Sequence, residues 1–185
     1  MRIFGAAGYK KAYVSEIAAA AGISKALVFY YFGSKKALYV YLIEYAFAIL
    51  TAEMQGRQDG GADFFDRIAD ATKRKLSVMK QYPAVNGFLK SVYFETDTEV
   101  TPEIQKILSQ GEAVRDQIAL DGVDKNKFKD NIDPRLVLNI LVKLSEGYAN
   151  VSPSGAGADF DALMQEFEAF VGILKNNLYK EEFLL

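Results

Sequence analysis

Apolar residues recur at spacings of three and four along almost the whole chain, while strict alternation never persists, so the pattern predicts a nearly all-helical, all-α protein. Breaks in that pattern mark the segments. Gly8, Gly22 and Gly33 interrupt the N-terminal part, GRQDGGA at 56–62 and SPSGAGA at 152–158 read as linker and loop, and Pro83 opens a new segment. Thr101-Pro102 and Asp133-Pro134 each pair a capping residue with proline at the first helical position. Together these signals predict short helices over 14–21 and 25–31, a long one over 35–55, and further helices over 63–81, 84–95, 102–120, 134–150 and 160–180.

One stretch does not fit a simple amphipathic helix. Leu27, Val28, Phe29, Tyr30, Tyr31 and Phe32 form an unbroken apolar and aromatic run with lysines on both sides. A short helix turns only part of its circumference toward a core, so some of these side chains must face something else. The surrounding sequence, VSEIAAAAGISKALVFYYF, divides into a short helix, a tight turn at Gly22 and a second short helix capped by Ser24, which is the pattern of a helix-turn-helix. Val14, Ile17, Ala18 and Ala21 make an apolar stripe on the first of these helices, and Ile23 is placed to plug the angle between the two. With Val28 and Phe32 facing the core, Ala26, Leu27, Phe29, Tyr30 and Tyr31 are left to fan around the outside.

Charge sharpens that reading. The formal net charge of the chain is -2, yet residues 1–45 hold Arg2, Lys10, Lys11, Lys25, Lys35 and Lys36 against only Glu16 and Glu44. A small basic head on an acidic body points to an anionic partner for the head. Lys25 falls in the first turn of one predicted helix and Lys35 and Lys36 in the first turn of the next, where the helix dipole disfavours a cation by about 0.3–1 kcal/mol. A polyanion lying across those N-termini reverses the penalty. In such a complex Lys25, Ala26, Leu27 and Phe29 would enter a major groove, and the Tyr31 hydroxyl would bond a phosphate.

The chain has no cysteine and no histidine, which removes disulfides, thiolate metal sites and the commonest general base, so neither a metal nor a cofactor is expected. An enzyme reading would fall on carboxylates, and Glu95, Asp97 and Glu99 form the acidic concentration that invites it; their place just before a helix start favours a loop or helix-terminal role. No apolar run reaches a membrane-spanning length and no leader pattern is present, so a cytoplasmic protein without a membrane partner is expected.

The stretch GYKKAYVSEIAAAAGISKALVFYYFGSKKAL resembles the DNA-binding region of TetR-family transcriptional regulators in the order and spacing of its motifs: a glycine-aromatic pair ending the first helix, an Ile-Ala helix, Ala-Gly-Ile-Ser, an aromatic recognition helix, then Ser-Lys and a long connecting helix. The resemblance implies a three-helix head over 1–45 and a larger helical effector-binding and dimerisation domain over 46–185. It implies DNA contacts from Ser15, Ser24, Lys25, Ala26, Leu27, Phe29, Tyr30, Tyr31 and Lys35. Family members often carry a small polar pair where Ala26 and Leu27 stand, a histidine where Tyr31 stands, and a threonine where Ala12 or Tyr13 stands. Their first helix is usually longer than MRIFGAAGY, so either this first helix is truncated or it is unusually short.

In the body, the broad apolar faces carrying Leu136, Ile140 and Leu144, and Phe167, Phe170 and Leu174, are wider than a one-sided surface helix needs. By resemblance they pair with their symmetry mates in a homodimer, which lets one short recognition helix read two half-sites of a palindromic operator. The resemblance also implies a small apolar or aromatic effector among the middle helices, with Met54, Phe88 and Tyr93 as lining residues, and a repressor released from double-stranded DNA when the effector biases the helix over 35–55. The alternative is a helical small-molecule-binding or scaffold protein that does not bind DNA.

Overall fold

The structure is a computed structural model describing residues 1–55, 63–151 and 159–184. The expected linker at 56–62 and loop at 152–158 lie outside the described residues. The helices are α1 (Arg2–Lys11), α2 (Val14–Ala20), α3 (Lys25–Phe32), α4 (Lys35–Gln55), α5 (Phe64–Gln81), α6 (Pro83–Tyr93), α7 (Thr101–Leu120), α8 (Pro134–Val151) and α9 (Phe160–Leu178). Among the described residues the extended structure is limited to one isolated antiparallel bridge between Phe128 and Tyr179.

The local signals act as their chemistry demands. Asp133 accepts from the Arg135 N–H at 2.9 Å, capping α8 ahead of Pro134. Pro83 occupies the first turn of α6, where its missing N–H costs nothing. Gly8, with φ of 72°, ends the regular part of α1 because an L side chain disfavours that conformation. Thr101 departs from its expected capping role: it is already helical, and its N–H, like that of Val100, bonds the carbonyl of Asp97.

Two compact units result, one of Met1–Thr51 with Gln81–Glu112, the other of Ala52–Lys80 with Ala113–Leu185. The first is centred on an aromatic cluster in which Phe4 and Tyr39 rings lie 4.8 Å apart, Tyr9 and Tyr39 5.0 Å, and Tyr39 and Phe88 5.5 Å. Each such pair adds about 0.5–1.5 kcal/mol beyond area burial. Gly5 lets α1 lie directly on α6, since a Cβ there would come within 3.1 Å of the Phe88 nitrogen. This packing makes α6 part of the platform under the head.

The second unit is built around Phe64, Phe65, Phe128 and Tyr179, with Val137, Leu141, Phe167 and Val171 completing the core. Around the Phe128–Tyr179 bridge, the Lys129 N–H donates to Leu178 and the Lys180 N–H to Lys127, each at 2.9 Å. Asp63 caps α5 from beside this core, accepting from the N–H groups of Phe65 and Asp66 at 3.1 and 3.2 Å. Its other oxygen takes the Lys127 ammonium at 3.0 Å.

Candidate nucleic-acid interface

The turn between α2 and α3 is closed by backbone chemistry. Gly22 takes φ of 69°, and the Ile23 N–H bonds the Ala18 carbonyl at 3.0 Å. Ser24 then caps α3, its hydroxyl accepting from the Leu27 N–H at 3.1 Å. Val28 is the buried anchor of α3 and Phe32 is half-buried beside it, so the helix is held by one narrow edge. Gly33, with φ of 71°, terminates it.

That leaves most of α3 in solvent. Tyr30 and Tyr31 are 80% and 70% exposed, Leu27 and Phe29 each 38%, and Lys25 and Ala26 are exposed on the same short helix. Ser15 is exposed on α2, and Ser24 is exposed at the cap. The Lys25 ammonium lies 5.7 Å from the Phe29 ring centroid, and the Tyr30 and Tyr31 rings meet edge-on at 5.3 Å. A cation, a hydroxyl-bearing aromatic pair and two apolar side chains are thus presented by one rigid eight-residue helix.

The three lysines differ in their surroundings. Lys35 is half-buried, donates to the Lys10 carbonyl at 3.1 Å and lies over the Tyr9 ring at 4.6 Å, so it ties the end of α1 to the start of α4. Lys36 pairs with Glu103 at 2.6 Å, and this partner holds the Glu103 carboxyl below the usual glutamate range. Lys36 therefore contributes less net positive field than its position in the sequence implies. Lys10 and Lys11, which the sequence flagged only as charge, are exposed.

Two apolar expectations change. Ile23 is 41% exposed and does not plug the interhelical angle, because the Gly22 turn carries it outward to the wall of an open groove of about 280 Å³ shared with Ile3, Ile17, Phe32 and Leu42. Ala21 is exposed, which shortens the expected α2 stripe to Val14 and Ala18 with Ile17 half-buried. At the entry to α2, Ala12 is buried and Tyr13 is 65% exposed at the capping position. Tyr13 thus joins the outward set, a placement signalled only by its aromatic hydroxyl beside the helix start.

The remaining candidates fall elsewhere. Phe88 is fully buried in the first unit's aromatic cluster, Tyr93 is 54% exposed at the end of α6, and the Met54 side chain lies outside the described residues. In the second unit Leu136 and Ile140 are exposed one turn apart on α8, while Leu144, Phe170 and Leu174 are half-buried. Phe167 points with Val171 into the core of its own unit, and Ile173, at 58% exposed, is an outward apolar residue of α9 that the pattern did not single out. The apolar arc of α9 is broad, so spacing alone did not say which part of it faces the core.

The acidic trio is a folding device. Glu95 accepts from the N–H groups of Tyr9 at 2.7 Å and of Thr96 and Asp97 at 3.0 Å, and Asp97 accepts from Glu99 at 2.9 Å. Among the described residues no cluster of acidic side chains is placed to hold a metal, and no helix is long and apolar enough to cross a membrane.

Residues 1–42 match the family model described as bacterial regulatory proteins, tetR family. No curated protein matches the chain in sequence. Solved structures similar in fold include the fatty acid degradation regulator FadR from Bacillus halodurans, with a TM-score of 0.67 at 20% identity over 91% of each chain. The ketosteroid transcriptional regulator KstR2 of Mycobacterium tuberculosis gives 0.62 at 16% identity, covering 97% of this chain and 90% of that one. The TetR family transcriptional regulator PfmR from Thermus thermophilus also gives 0.62 at 16% identity, over 96% and 94% respectively. The first 42 residues thus carry the sequence pattern of the tetR-family head, and the whole chain is similar in fold to solved regulators of that family.

Proposed function

We propose that this protein is a dimeric, effector-controlled repressor that reads a palindromic DNA operator with α3. The observation that carries the reading is the exposed face of α3, where Lys25, Leu27, Phe29 and Tyr31 stand outward around a single buried anchor, Val28. Lys25 reaches base-edge acceptors, Leu27 and Phe29 meet thymine methyl groups, and Tyr31, Ser15 and Tyr13 take phosphate oxygens. Leu136, Ile140 and Ile173 are the outward apolar residues best suited to a two-fold contact with a second copy, since isolated exposure of three aliphatic side chains on neighbouring sequence stripes gains nothing for a monomer.

An effector acts on this system by binding one conformation better than the other, shifting α4 and with it the separation of the two reading helices. The direct test is selection from a random duplex pool, followed by affinity at several salt concentrations. An enriched palindrome with a steep salt dependence supports the reading; no enrichment by a folded dimer overturns it. Ile140→Glu sharpens the dimer part, with sedimentation showing a shift toward monomer and a parallel loss of operator binding. An unchanged sedimentation profile places the contact elsewhere.

A further inference from the structure

An acid at the start of α7 reaches back to the start of α4, inside the same compact unit. Glu103 and Lys36 meet at 2.6 Å with 36% of each side chain exposed, so the pair lies at the surface. Lys36 is in the first turn of α4, where Ser34 caps the helix and the turn holds no acid of its own. The dipole at that end opposes the ammonium, and Glu103 supplies the charge that offsets it. Only Gly33 and Ser34 separate α4 from α3, which puts the pair at the edge of the exposed face described above.

Neither partner is locked to the other. Glu103 stands in the first turn of α7, where a carboxylate is favoured with or without a lysine nearby. One of its oxygens meets Lys36, while the other, Oε2, is buried with no hydrogen-bond partner among the described residues. An exposed pair of this kind adds little to stability. A DNA phosphate competes well for the ammonium, since neutralising it also releases a counterion from the duplex. Holding both anions at once would bring a carboxylate against the phosphate, so the two contacts oppose each other.

We propose that Glu103 is a built-in restraint on DNA affinity: it occupies the Lys36 ammonium in the free protein, and a phosphate must displace it before Lys36 joins the interface. This rests on the DNA-reading function proposed above and adds an internal competitor to it. The strength of DNA binding is then set in part by a residue of α7, far along the chain from the helix-turn-helix.

Glu103→Gln keeps the shape of the side chain and removes its charge. Affinity of the full chain for a labelled duplex is followed by fluorescence anisotropy over a salt series. The freed lysine is expected to tighten binding and to steepen the salt dependence by one phosphate contact, about 0.9 in slope. Its advantage over wild type should therefore shrink about 3.5-fold between about 50 and 200 mM salt. Glu103→Ser, which also suits a first helical turn, gives the same result. With Lys36→Ala in place, Glu103→Gln no longer steepens the slope. A purely structural pair behaves differently: loosening the start of α4 weakens binding and adds no phosphate contact. Weaker or unchanged binding by Glu103→Gln, an unchanged slope, or a steepening that survives Lys36→Ala overturns the proposal. Any duplex reports the difference, because phosphate contacts carry no sequence information. Failure to enrich an operator therefore counts against the repressor reading alone, and the comparison of Glu103→Gln with wild type decides this one.

Discussion

Three helices in this protein begin in nearly the same way and then diverge in charge. At α3 the Ser24 hydroxyl accepts from Leu27 at 3.1 Å, and at α4 the Ser34 hydroxyl accepts from Ala37 at 3.0 Å. At α5 the Asp63 carboxylate accepts from Phe65 at 3.1 Å and Asp66 at 3.2 Å. The cap geometry is equivalent. In the head, however, the first turns carry Lys25, Lys35 and Lys36 and no acid, so positive side chains are added to the positive end of the dipole. At α5 the cap itself is an anion and Asp66 follows in the first turn. The start of α5 is neutralised on the spot and that of α4 partly so, through the pairing of Lys36 with Glu103, whereas the start of α3 leaves a positive field open to an outside anion.

The largest expected effect comes from breaking the self-sufficient start. Asp63 also holds Lys127 at 3.0 Å and Lys175 at 3.3 Å, with little of its own surface exposed. Asp63→Ala removes a cap of about 1 kcal/mol. It also strands the partly buried Lys127 ammonium and leaves Lys175 with Asp66 alone, and the combined loss in urea unfolding is about 3 kcal/mol. Asp63→Asn retains the cap and isolates the ion-pair part. Neither substitution should alter DNA affinity at a temperature where the variant is folded, and a change there would mean that α5 is part of the reading apparatus.

The same aspartate gives a pH prediction. Burial alone would raise its pKa, but the Lys127 hydrogen bond, the Asp66 N–H and the Lys175 charge together hold it below the ordinary aspartate value. A carboxyl depressed on folding contributes stability that is fully present above its unfolded pKa and is lost as pH falls through its folded one. Wild-type stability should therefore decline on acidification below the ordinary aspartate range, and the decline should be shallower in Asp63→Asn. Parallel acid limbs for the two proteins would assign the titration to another group.

Next in size is the open start. Lys25→Ala is expected to cost operator affinity about 1–3 kcal/mol if the ammonium reads a guanine edge. If it rests on a phosphate instead, the loss is uniform across sequences and the salt slope falls by about 0.9. Filter binding to the selected operator and to an unrelated duplex, each over a salt series, separates the two. Unchanged affinity on both duplexes would remove Lys25 from the interface.

The division between what the sequence told and what it withheld follows the range of the interactions. Gly22, Ser24, Gly33, Pro83 and Asp133-Pro134 act on backbone within a few residues, and the helix ends they mark agree with the structure to within about two residues. The exposed aromatic run on α3 was legible for the same reason, since no eight-residue helix can bury six consecutive bulky side chains. The pairing of Lys36 with Glu103 and of Lys35 with the Lys10 carbonyl was not legible, because each joins positions far apart in the chain. Phe167 and Ile173 show the limit of periodicity: on a helix with a broad apolar arc, only the neighbours decide which part of it is inside.

The smallest effect carries the sharpest contrast, because stability and binding should move in opposite directions. In the free protein Lys25 sits at the first position of α3, where the dipole opposes its charge and no acid stands in the first turn to offset it. Lys25→Glu places an anion there and should stabilise the DNA-free protein by about 0.3–1 kcal/mol at low ionic strength, with the gain shrinking as salt is added. The same charge reversal puts a carboxylate against the DNA backbone and should weaken operator binding more than Lys25→Ala does. At the start of α5 the corresponding reversal, Asp66→Lys, should lower stability and leave DNA binding unchanged. Thermal unfolding and operator affinity measured on both variants give four signs. If Lys25→Glu lowered stability while Asp66→Lys raised it, the helix-dipole account of both starts would be wrong. If Lys25→Glu left DNA affinity intact, the positive field at α3 would have some purpose other than holding DNA.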